Sequence, residues 1–254
     1  MIKKFILLGI IFTSVIFPTM AFAESPSEKD AQSLLSAFMS YTDLRFSSVQ
    51  KSLEILAATT EARSGKWEKM KDLLSVYQKS DEGLVVWYVR PDGAYYTVDK
   101  GLTDEKLSDR SYFPDIMAGR EIIGSLVVSK STGQRSAVIA VPMKKGGKVV
   151  GAIGVTLFLD KLSEQIGSVL ALRTDAVFFT LAPNGLTTLH KKIDRHFMDP
   201  RELGSETLKK AANEILSKNS GEVTYEFDNV TKRAIYRTSP LTQWKFMITF
   251  SSVP

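Results

Sequence analysis

The feature that most constrains the fold is an order of secondary-structure elements that occurs twice along the chain. Residues 84–159 predict two strands, a helix and three further strands, and residues 175–250 predict the same succession. Corresponding elements lie 91 to 96 residues apart, although the two stretches show no visible sequence repeat. We therefore expect an α+β fold with two antiparallel sheets in tandem, each with a helix inserted on one face.

A long amphipathic helix precedes both sheets. Ser25 and Pro26 fit the N-cap and first helical positions, and the helix should run to about Ala62. Its stripe is narrow, so packing along a sheet and a homodimer through this helix both remain open. A second helix, with its stripe beginning at Trp67, should end near Gly83. The apolar positions of the first stripe are Leu35, Met39, Phe46, Val49, Leu53 and Leu56.

In the first repeat, the turn Pro91-Asp92-Gly93 joins two β-rich runs, because proline fixes φ and glycine accepts positive φ. A helix is predicted from about Glu105 to Ala118, and it carries the cluster "LSDRSYF" at residues 107–113. Three strands should follow near residues 123–129, 135–141 and 148–159.

In the second repeat, the turn Pro183-Asn184-Gly185 joins runs at residues 175–182 and 186–189. A helix is predicted at about residues 204–217. The remaining strands are expected at residues 222–227, 232–238 and 243–250.

The N-terminus has the features of a secretory signal peptide. Two lysines precede an apolar run from Phe5 to about Ile16, and Ala21-Phe22-Ala23 fits a cleavage site. Cleavage after Ala23 would make the protein periplasmic or secreted. The alternative is an uncleaved N-terminal helix that anchors the chain in the inner membrane. No later stretch of the sequence is apolar enough to span a bilayer.

Charge and composition exclude several classes of function. The chain has 33 basic and 28 acidic residues without a long basic block, so no nucleic-acid partner is expected. It has no cysteine, which excludes disulfides, thiol catalysis and cysteine metal sites. His190 and His196 lie near Asp194 and Asp199 and could hold zinc, but the spacing matches no established ligand pattern. We therefore expect neither a metal, a cofactor nor enzymatic activity, and keep a hydrolase that uses this loop as an alternative.

Residues 87–163 resemble the membrane-distal module of a double Cache sensor domain, the extracytoplasmic ligand-binding domain of many bacterial chemoreceptors and sensor histidine kinases. The matching stretches are "DRSYF" at 109–113, "STG" at 131–133 and "GGKVVGAIGVTLFLDKL" at 146–162, and the likeness extends over about residues 26–252. It implies a PAS-like fold in each module. The expected division is a signal peptide (1–23), the long and connecting helices (24–83), a membrane-distal ligand-binding module (84–170) and a second PAS-like module (171–254).

The resemblance also implies site residues. In the family, the arginine and aromatic residues of the "DRSYF"-like segment line the distal pocket, which implies ligand contacts by Arg110, Tyr112 and Phe113. In the amino-acid-binding branch an aspartate precedes the Thr-Gly turn by three residues and pairs with the ligand's ammonium group. Ser129 occupies that position here, so a small anionic metabolite such as an organic acid is expected instead, with Ser129 as a hydrogen-bond candidate.

Alternatives remain open for several of these residues. The Arg110 guanidinium suits a carboxylate ligand, but it could equally form a salt bridge within the module. Possible partners are Glu105, Asp109 and Asp115. Ser129 could simply cap a turn, and Phe113 could belong to the core.

Two adjacent aromatic pairs are also candidates. Trp87 and Tyr88 are neighbours on one strand, as are Tyr95 and Tyr96, and neighbours on a strand face opposite sides of the sheet. One member of each pair should pack against the long helix while the other lines the pocket. The sequence does not show which member of each pair faces which side of the sheet. Trp87, Tyr88 and Tyr96 are retained as expected ligand contacts.

The expected function is that of an extracytoplasmic small-molecule sensor. Binding of a carboxylate would favour one conformation of the distal module, and the long helix would pass this bias to a membrane-bound receptor or histidine kinase. Family members usually continue into a transmembrane helix and an output domain, whereas this sequence ends at Pro254. We therefore expect a membrane partner, or alternatively a soluble periplasmic solute-binding or structural protein without a signalling role.

Overall fold

The structure is a computed structural model that describes residues 28–251. The predicted signal peptide and the helix start at Ser25 and Pro26 lie outside the described residues. Within residues 28–251, no helix combines the length and apolar character needed to cross a bilayer.

The described chain contains helices and strands in an order that repeats. In sequence they are α1 (Glu28–Ala57), α2 (Thr60–Arg63), α3 (Trp67–Lys79), β1 (Leu84–Val89), β2 (Ala94–Thr97), β3 (Gly101–Lys106), α4 (Phe113–Met117), β4 (Ile122–Val128), β5 (Arg135–Lys145), β6 (Lys148–Phe158), α5 (Leu159–Leu170), β7 (Ala176–Leu181), β8 (Thr187–His190), α6 (Glu206–Ser217), β9 (Ser220–Phe227), β10 (Val230–Thr238) and β11 (Lys245–Ser251), with 3-10 turns at Ile193–Arg195 and Pro200–Glu202.

The strands form two antiparallel sheets. The first has the order β3-β2-β1-β6-β5-β4, and the second has the order β8-β7-β11-β10-β9. Apart from the edge strand β3, each strand of the first sheet has a counterpart at the same place in the second. The predicted α+β fold with a long N-terminal helix and two tandem antiparallel sheets is therefore confirmed. We call the two parts the first and the second sheet unit.

One core joins α1 to the inner faces of both sheets. Phe38 contacts Phe178 and Phe246 edge to face, with ring centroids 5.1 and 4.9 Å apart. The apolar stripe of α1 packs against β5 and β6 of the first sheet and β10 and β11 of the second. This covers the stripe that a coiled coil would use. The homodimer stays a prediction, and it would have to use the other side of α1, where Leu44 and Ile55 are exposed.

The predicted end of the long helix at Ala62 is wrong. The helix ends at Ala57, because Thr59 takes an extended conformation (φ −67°, ψ 157°) and caps the separate helix α2. The Thr59 hydroxyl accepts the N–H of Ala62 at 3.2 Å. A side-chain cap of this kind satisfies a helix N–H that otherwise has no partner, and so it stabilises the break.

The predicted helix from Glu105 to Ala118 is wrong in its first half. Residues 101–106 form the edge strand β3 instead, residues 107–112 form turns, and only Phe113–Met117 is helical. Pro114 explains the late start. It is tolerated in the first turn of α4, but in a helix already under way its ring would clash with the carbonyl of Arg110.

Helix α5 was not predicted. Its buried residues Leu159, Leu162, Ile166 and Leu170 follow helical spacing, but the sequence analysis had attached Leu159 to the preceding strand. The helix packs against α1 and β8 and connects the two sheet units.

Candidate functional site

A small cavity lies between the outer face of the first sheet and the segments that follow β3 and β4. About 20 Å³ is open to the centre of a water molecule, which is room for about one water. The inserted segments are therefore closed onto the sheet. The cavity is lined by Trp87, Tyr95, Leu107, Arg110, Tyr112, Val127, Ser129, Lys130, Ser131, Val138 and Thr156.

Strand β1 places Trp87 on the cavity side and Tyr88 on the opposite side of the sheet. The Trp87 indole N–H donates to the Thr156 hydroxyl at 3.1 Å, and its ring stacks beside Tyr112. The Tyr88 hydroxyl instead donates to the Gly65 carbonyl at 2.9 Å, within the inner core. The expectation that Tyr88 contacts a ligand here is corrected, because the sheet separates it from the cavity.

Strand β2 divides its two tyrosines in the same way. Tyr96 pairs in register with Tyr88 and stacks on it and on Trp67, with ring centroids 5.8 and 5.1 Å away. Tyr96 therefore lies on the inner face and is corrected as well. Tyr95, which the sequence analysis did not retain as a contact, lines the cavity. The sequence did not show the register between β1 and β2. This register places Tyr88 and Tyr96 on the same side of the sheet.

Arg110 lies in the cavity wall, in the turn segment between β3 and α4. Its Nη2 donates to the main-chain carbonyl of Val128 at 2.7 Å. None of the three predicted carboxylate partners is used: Lys130 pairs with Glu105 and Asp109, and Arg120 pairs with Asp115. Within residues 28–251 the Arg110 guanidinium forms no salt bridge.

Lys130 is a cavity residue that the sequence analysis missed. Its Nζ donates to both carboxylate oxygens of Asp109, at 2.8 and 3.0 Å, and to the carbonyl of Lys106 at 2.7 Å. The ammonium group thereby lowers the pKa of Asp109, while hydrogen bonding to Asp109 raises the pKa of Lys130. Lys130 thus ties the turn after β4 to the end of β3, which closes one side of the cavity.

The remaining predicted residues have different surroundings. Tyr112 is buried, and this burial raises the pKa of its hydroxyl, so it can act as a neutral hydrogen-bond donor. Phe113 is half-buried and does not line the cavity. It packs against the apolar cluster on the cavity side of the first sheet, which we call the outer core. The Ser129 hydroxyl lines the cavity and also accepts the N–H of Thr132 at 3.3 Å. The two proposed roles of Ser129, turn capping and cavity lining, therefore coexist.

The two histidines lie in the second sheet unit. His196 is buried with its Nε2 3.1 Å from the Ser163 hydroxyl, and the Nδ1 of His190 accepts the main-chain N–H of Lys192 at 2.7 Å. Burial lowers the pKa of His196 to about 4 and that of His190 to about 3. In the described part of the chain, no group of three or more histidine or acidic residues is placed to hold a metal ion.

The Cache domain family matches residues 20–253. Methyl-accepting chemotaxis protein McpB of Bacillus subtilis (strain 168) is 28% identical over 183 residues, which is 70% of this chain and 26% of that protein. The chain therefore spans about a quarter of the length of this curated relative.

Solved structures share the fold. An extracellular ligand binding receptor from Desulfohalobium retbaense DSM5692 gives a TM-score of 0.72 at 14% identity, covering 88% of this chain and 41% of that one. The ligand-binding domain of the Pseudomonas aeruginosa PAO1 amino acid chemoreceptor PctB, in complex with L-Arg, gives 0.71 at 18% identity and covers 89% and 95%. At these identities the likeness concerns the fold alone. Because the family match spans nearly the whole sequence, the chain belongs to the Cache domain family, in its double Cache form.

Proposed function

We propose that the protein is an extracytoplasmic sensor that binds a small carboxylate in the first sheet unit and reports it to a membrane-bound receptor or histidine kinase. Membership of the Cache family supports the sensory role. The relative McpB is a methyl-accepting chemotaxis protein, and the structural neighbour PctB is an amino acid chemoreceptor.

The observation that carries the carboxylate proposal is the state of Arg110. Its guanidinium lies in the cavity wall and donates a hydrogen bond to the neutral carbonyl of Val128. The nearby carboxylates are taken by Lys130 and Arg120. A carboxylate ligand would form a salt bridge with this guanidinium. A hydrogen bond between charged groups of this kind contributes about 1.5–3 kcal/mol.

The remaining polar groups favour an acid over an amino acid. Tyr112 and Ser129 offer neutral hydroxyl groups. Asp109, which precedes Arg110 in the chain, is already paired with the cavity residue Lys130. A ligand ammonium group would have to compete with Lys130 for it. An organic acid without an amino group avoids that competition.

Binding requires the cavity to open. With room for about one water, a ligand enters only when residues 107–112 move away from the turn after β4. This breaks the Lys130 contacts and the bond from Arg110 to Val128. The ligand then stabilises the opened arrangement, which is a population shift. Strands β4 and β5, which border the cavity, also contact α1, so α1 is the element that passes the change on.

A thermal-shift screen tests the proposal. The full chain is titrated with small organic acids, amino acids and amines, and a ligand at about 100 times its Kd should stabilise the protein by about 2.7 kcal/mol. We expect an organic acid to do so, Arg110→Ala to abolish the shift, and Arg120→Ala to retain it. Arg120 is the matched control, because it is an exposed arginine of the same unit that is paired with Asp115.

Two outcomes would contradict the proposal. One is stabilisation by an amino acid with no response to its deaminated analogue, which would indicate an ammonium site. The other is an Arg110→Ala variant that binds the organic acid as tightly as the wild type.

A further inference from the structure

The second sheet unit contains a larger cavity than the first. It lies between the outer face of the second sheet and the segment that joins β8 to α6. About 110 Å³ is open to the centre of a water molecule, against about 20 Å³ in the first unit. This is room for several ordered waters or a small organic molecule. None of the residues used in the proposed function lines it.

The two cavities occupy equivalent places in the tandem fold. Strand β7 corresponds to β1 in the sheet order, and Phe179 on β7 lines the second cavity as Trp87 on β1 lines the first. Each cavity also receives one arginine from the segment before the inserted helix, Arg195 in the second unit and Arg110 in the first. The second unit therefore repeats the combination of an aromatic floor and a guanidinium group.

The floor of the second cavity is apolar. Phe179, Leu208 and Tyr225 line it and are buried or nearly so. The Tyr225 hydroxyl lies 3.5 Å from that of Thr249, and burial raises the pKa of Tyr225, so this polar pair stays uncharged. Such a floor suits the aliphatic or aromatic body of a ligand.

The mouth of the cavity is cationic. The Cζ of Arg195 and the Nζ of Lys232 lie 5.6 and 5.2 Å from the centroid of the same Phe227 ring. Lys192 also lines the cavity, whereas Asp228 is the single acidic residue in the lining. Among the described residues, none of these three cations forms a salt bridge.

Three cationic side chains thus line the cavity beside a single carboxylate, that of Asp228. Burial lowers the pKa of Lys232; Asp228 opposes this effect, and Lys192 and Arg195 add to it. His190 contributes no charge at neutral pH, because burial lowers its pKa to about 3. An anion between the cations would remove the repulsion and would be partly shielded from water there.

We propose that this cavity is a second ligand site, which binds a small carboxylate with an aliphatic or aromatic body. The carboxylate group pairs with Arg195 and Lys232 at the mouth of the cavity. The apolar body lies on Phe179 and Leu208.

Calorimetry on the full chain with phenylacetate as the probe tests this site. We expect phenylacetate to bind. Phenylacetamide, which has no charge, and acetate, which has no phenyl group, should each bind at least about tenfold more weakly. Arg195→Gln and Lys232→Gln should each weaken phenylacetate binding about tenfold. Lys209→Gln, at an exposed lysine on α6 that does not line the cavity, should leave it unchanged.

Methyl NMR of the wild-type protein locates the probe independently of the variants. Met198 lines the second cavity, whereas Met117 packs against the outer core of the first unit. We expect phenylacetate to shift the Met198 methyl signal and not that of Met117. The proposal is overturned if phenylacetate does not bind, if Met117 responds in place of Met198, or if Arg110→Gln rather than the Arg195 and Lys232 variants loses binding. Because the two sites use different residues, failure here leaves the test of the first site untouched.

Discussion

Lys130 holds Asp109 across the rim of the first cavity, with its Nζ 2.8 and 3.0 Å from the two carboxylate oxygens. The two residues are 21 positions apart in sequence and belong to the two segments that separate in the proposed binding step. Asp109 is largely exposed, so the pair is screened by water and contributes little to folding. Its importance lies in the opening of the cavity rather than in global stability.

Removing this contact should loosen the rim without unfolding the protein. In Lys130→Met we expect faster amide hydrogen exchange over residues 107–112, while the free energy of unfolding falls by no more than about 1 kcal/mol. Exchange mass spectrometry measures the first and urea denaturation the second. Lys71→Met is the control, because Lys71 forms an exposed pair with Glu68 on α3, far from the rim in sequence. Unchanged exchange at residues 107–112 would show that Lys130 does not restrain them.

The buried histidine should make folding sensitive to mild acid. The pKa of His196 falls to about 4 in the folded protein from 6.5 when exposed. Between these values the unfolded chain binds more protons than the folded one, so the free energy of unfolding falls as pH drops from about 6.5 to about 4. The loss should be on the order of 2–3 kcal/mol for this residue.

Urea denaturation at pH 7 and pH 5 measures this loss, with His196→Gln as the comparison. Glutamine retains a hydrogen bond to Ser163 but does not titrate, so the variant should lose part of the pH dependence. If the free energy of unfolding falls equally between pH 7 and pH 5 in both proteins, another group, for example His190, causes the acid sensitivity.

Gly154 on β6 should not tolerate a side chain. A methyl group at this position would overlap the Trp87 ring, which forms one wall of the first cavity. We expect Gly154→Ala to destabilise the protein by about 1–3 kcal/mol and to displace Trp87, seen as a change in tryptophan fluorescence. Gly167→Ala on α5 is the matched control, because its new methyl meets only Phe178 at an ordinary contact distance of 3.8 Å and alanine favours the helix.

The shared core should depend strongly on Phe38. This ring lies fully buried on α1 and contacts two phenylalanines of the second sheet, so Phe38→Ala should cost about 3–5 kcal/mol. Ile55→Ala removes a large apolar side chain from an exposed position of the same helix and should change stability by less than about 0.5 kcal/mol. Chemical denaturation of both variants gives the comparison. Similar losses would mean that Ile55 is covered in solution, as a dimer through α1 would require.

The periodicity of apolar residues was enough to predict α1 and the tandem order of strands, because burial of one face imposes it directly. The edge strand β3 carries Asp104, Glu105 and Lys106 and buries little, so it has no such signal and was mistaken for helix. The side of the sheet on which Trp87 and Tyr88 each lie depends on which face of the first sheet packs against α1. That choice is made by packing between elements and leaves no local pattern.

The same distinction applies to the site. Arg110 lines the cavity, as the family resemblance of the segment "DRSYF" implied. Lys130 contacts Asp109 only because two distant segments meet, and Lys232 of β10 joins Lys192 and Arg195 of the segment after β8 only through the second sheet. Sequence spacing does not reveal such groups.

Helix α1 is common to the cores of both sheet units, and this links their energetics. A shift of α1 that favours one arrangement of the first sheet alters its packing on β10 and β11 as well. Occupation of one cavity would then change the affinity of the other, and the second ligand must act back on the first by the same factor. If both proposed sites bind ligands, a single helix would make the protein respond to two chemical concentrations together.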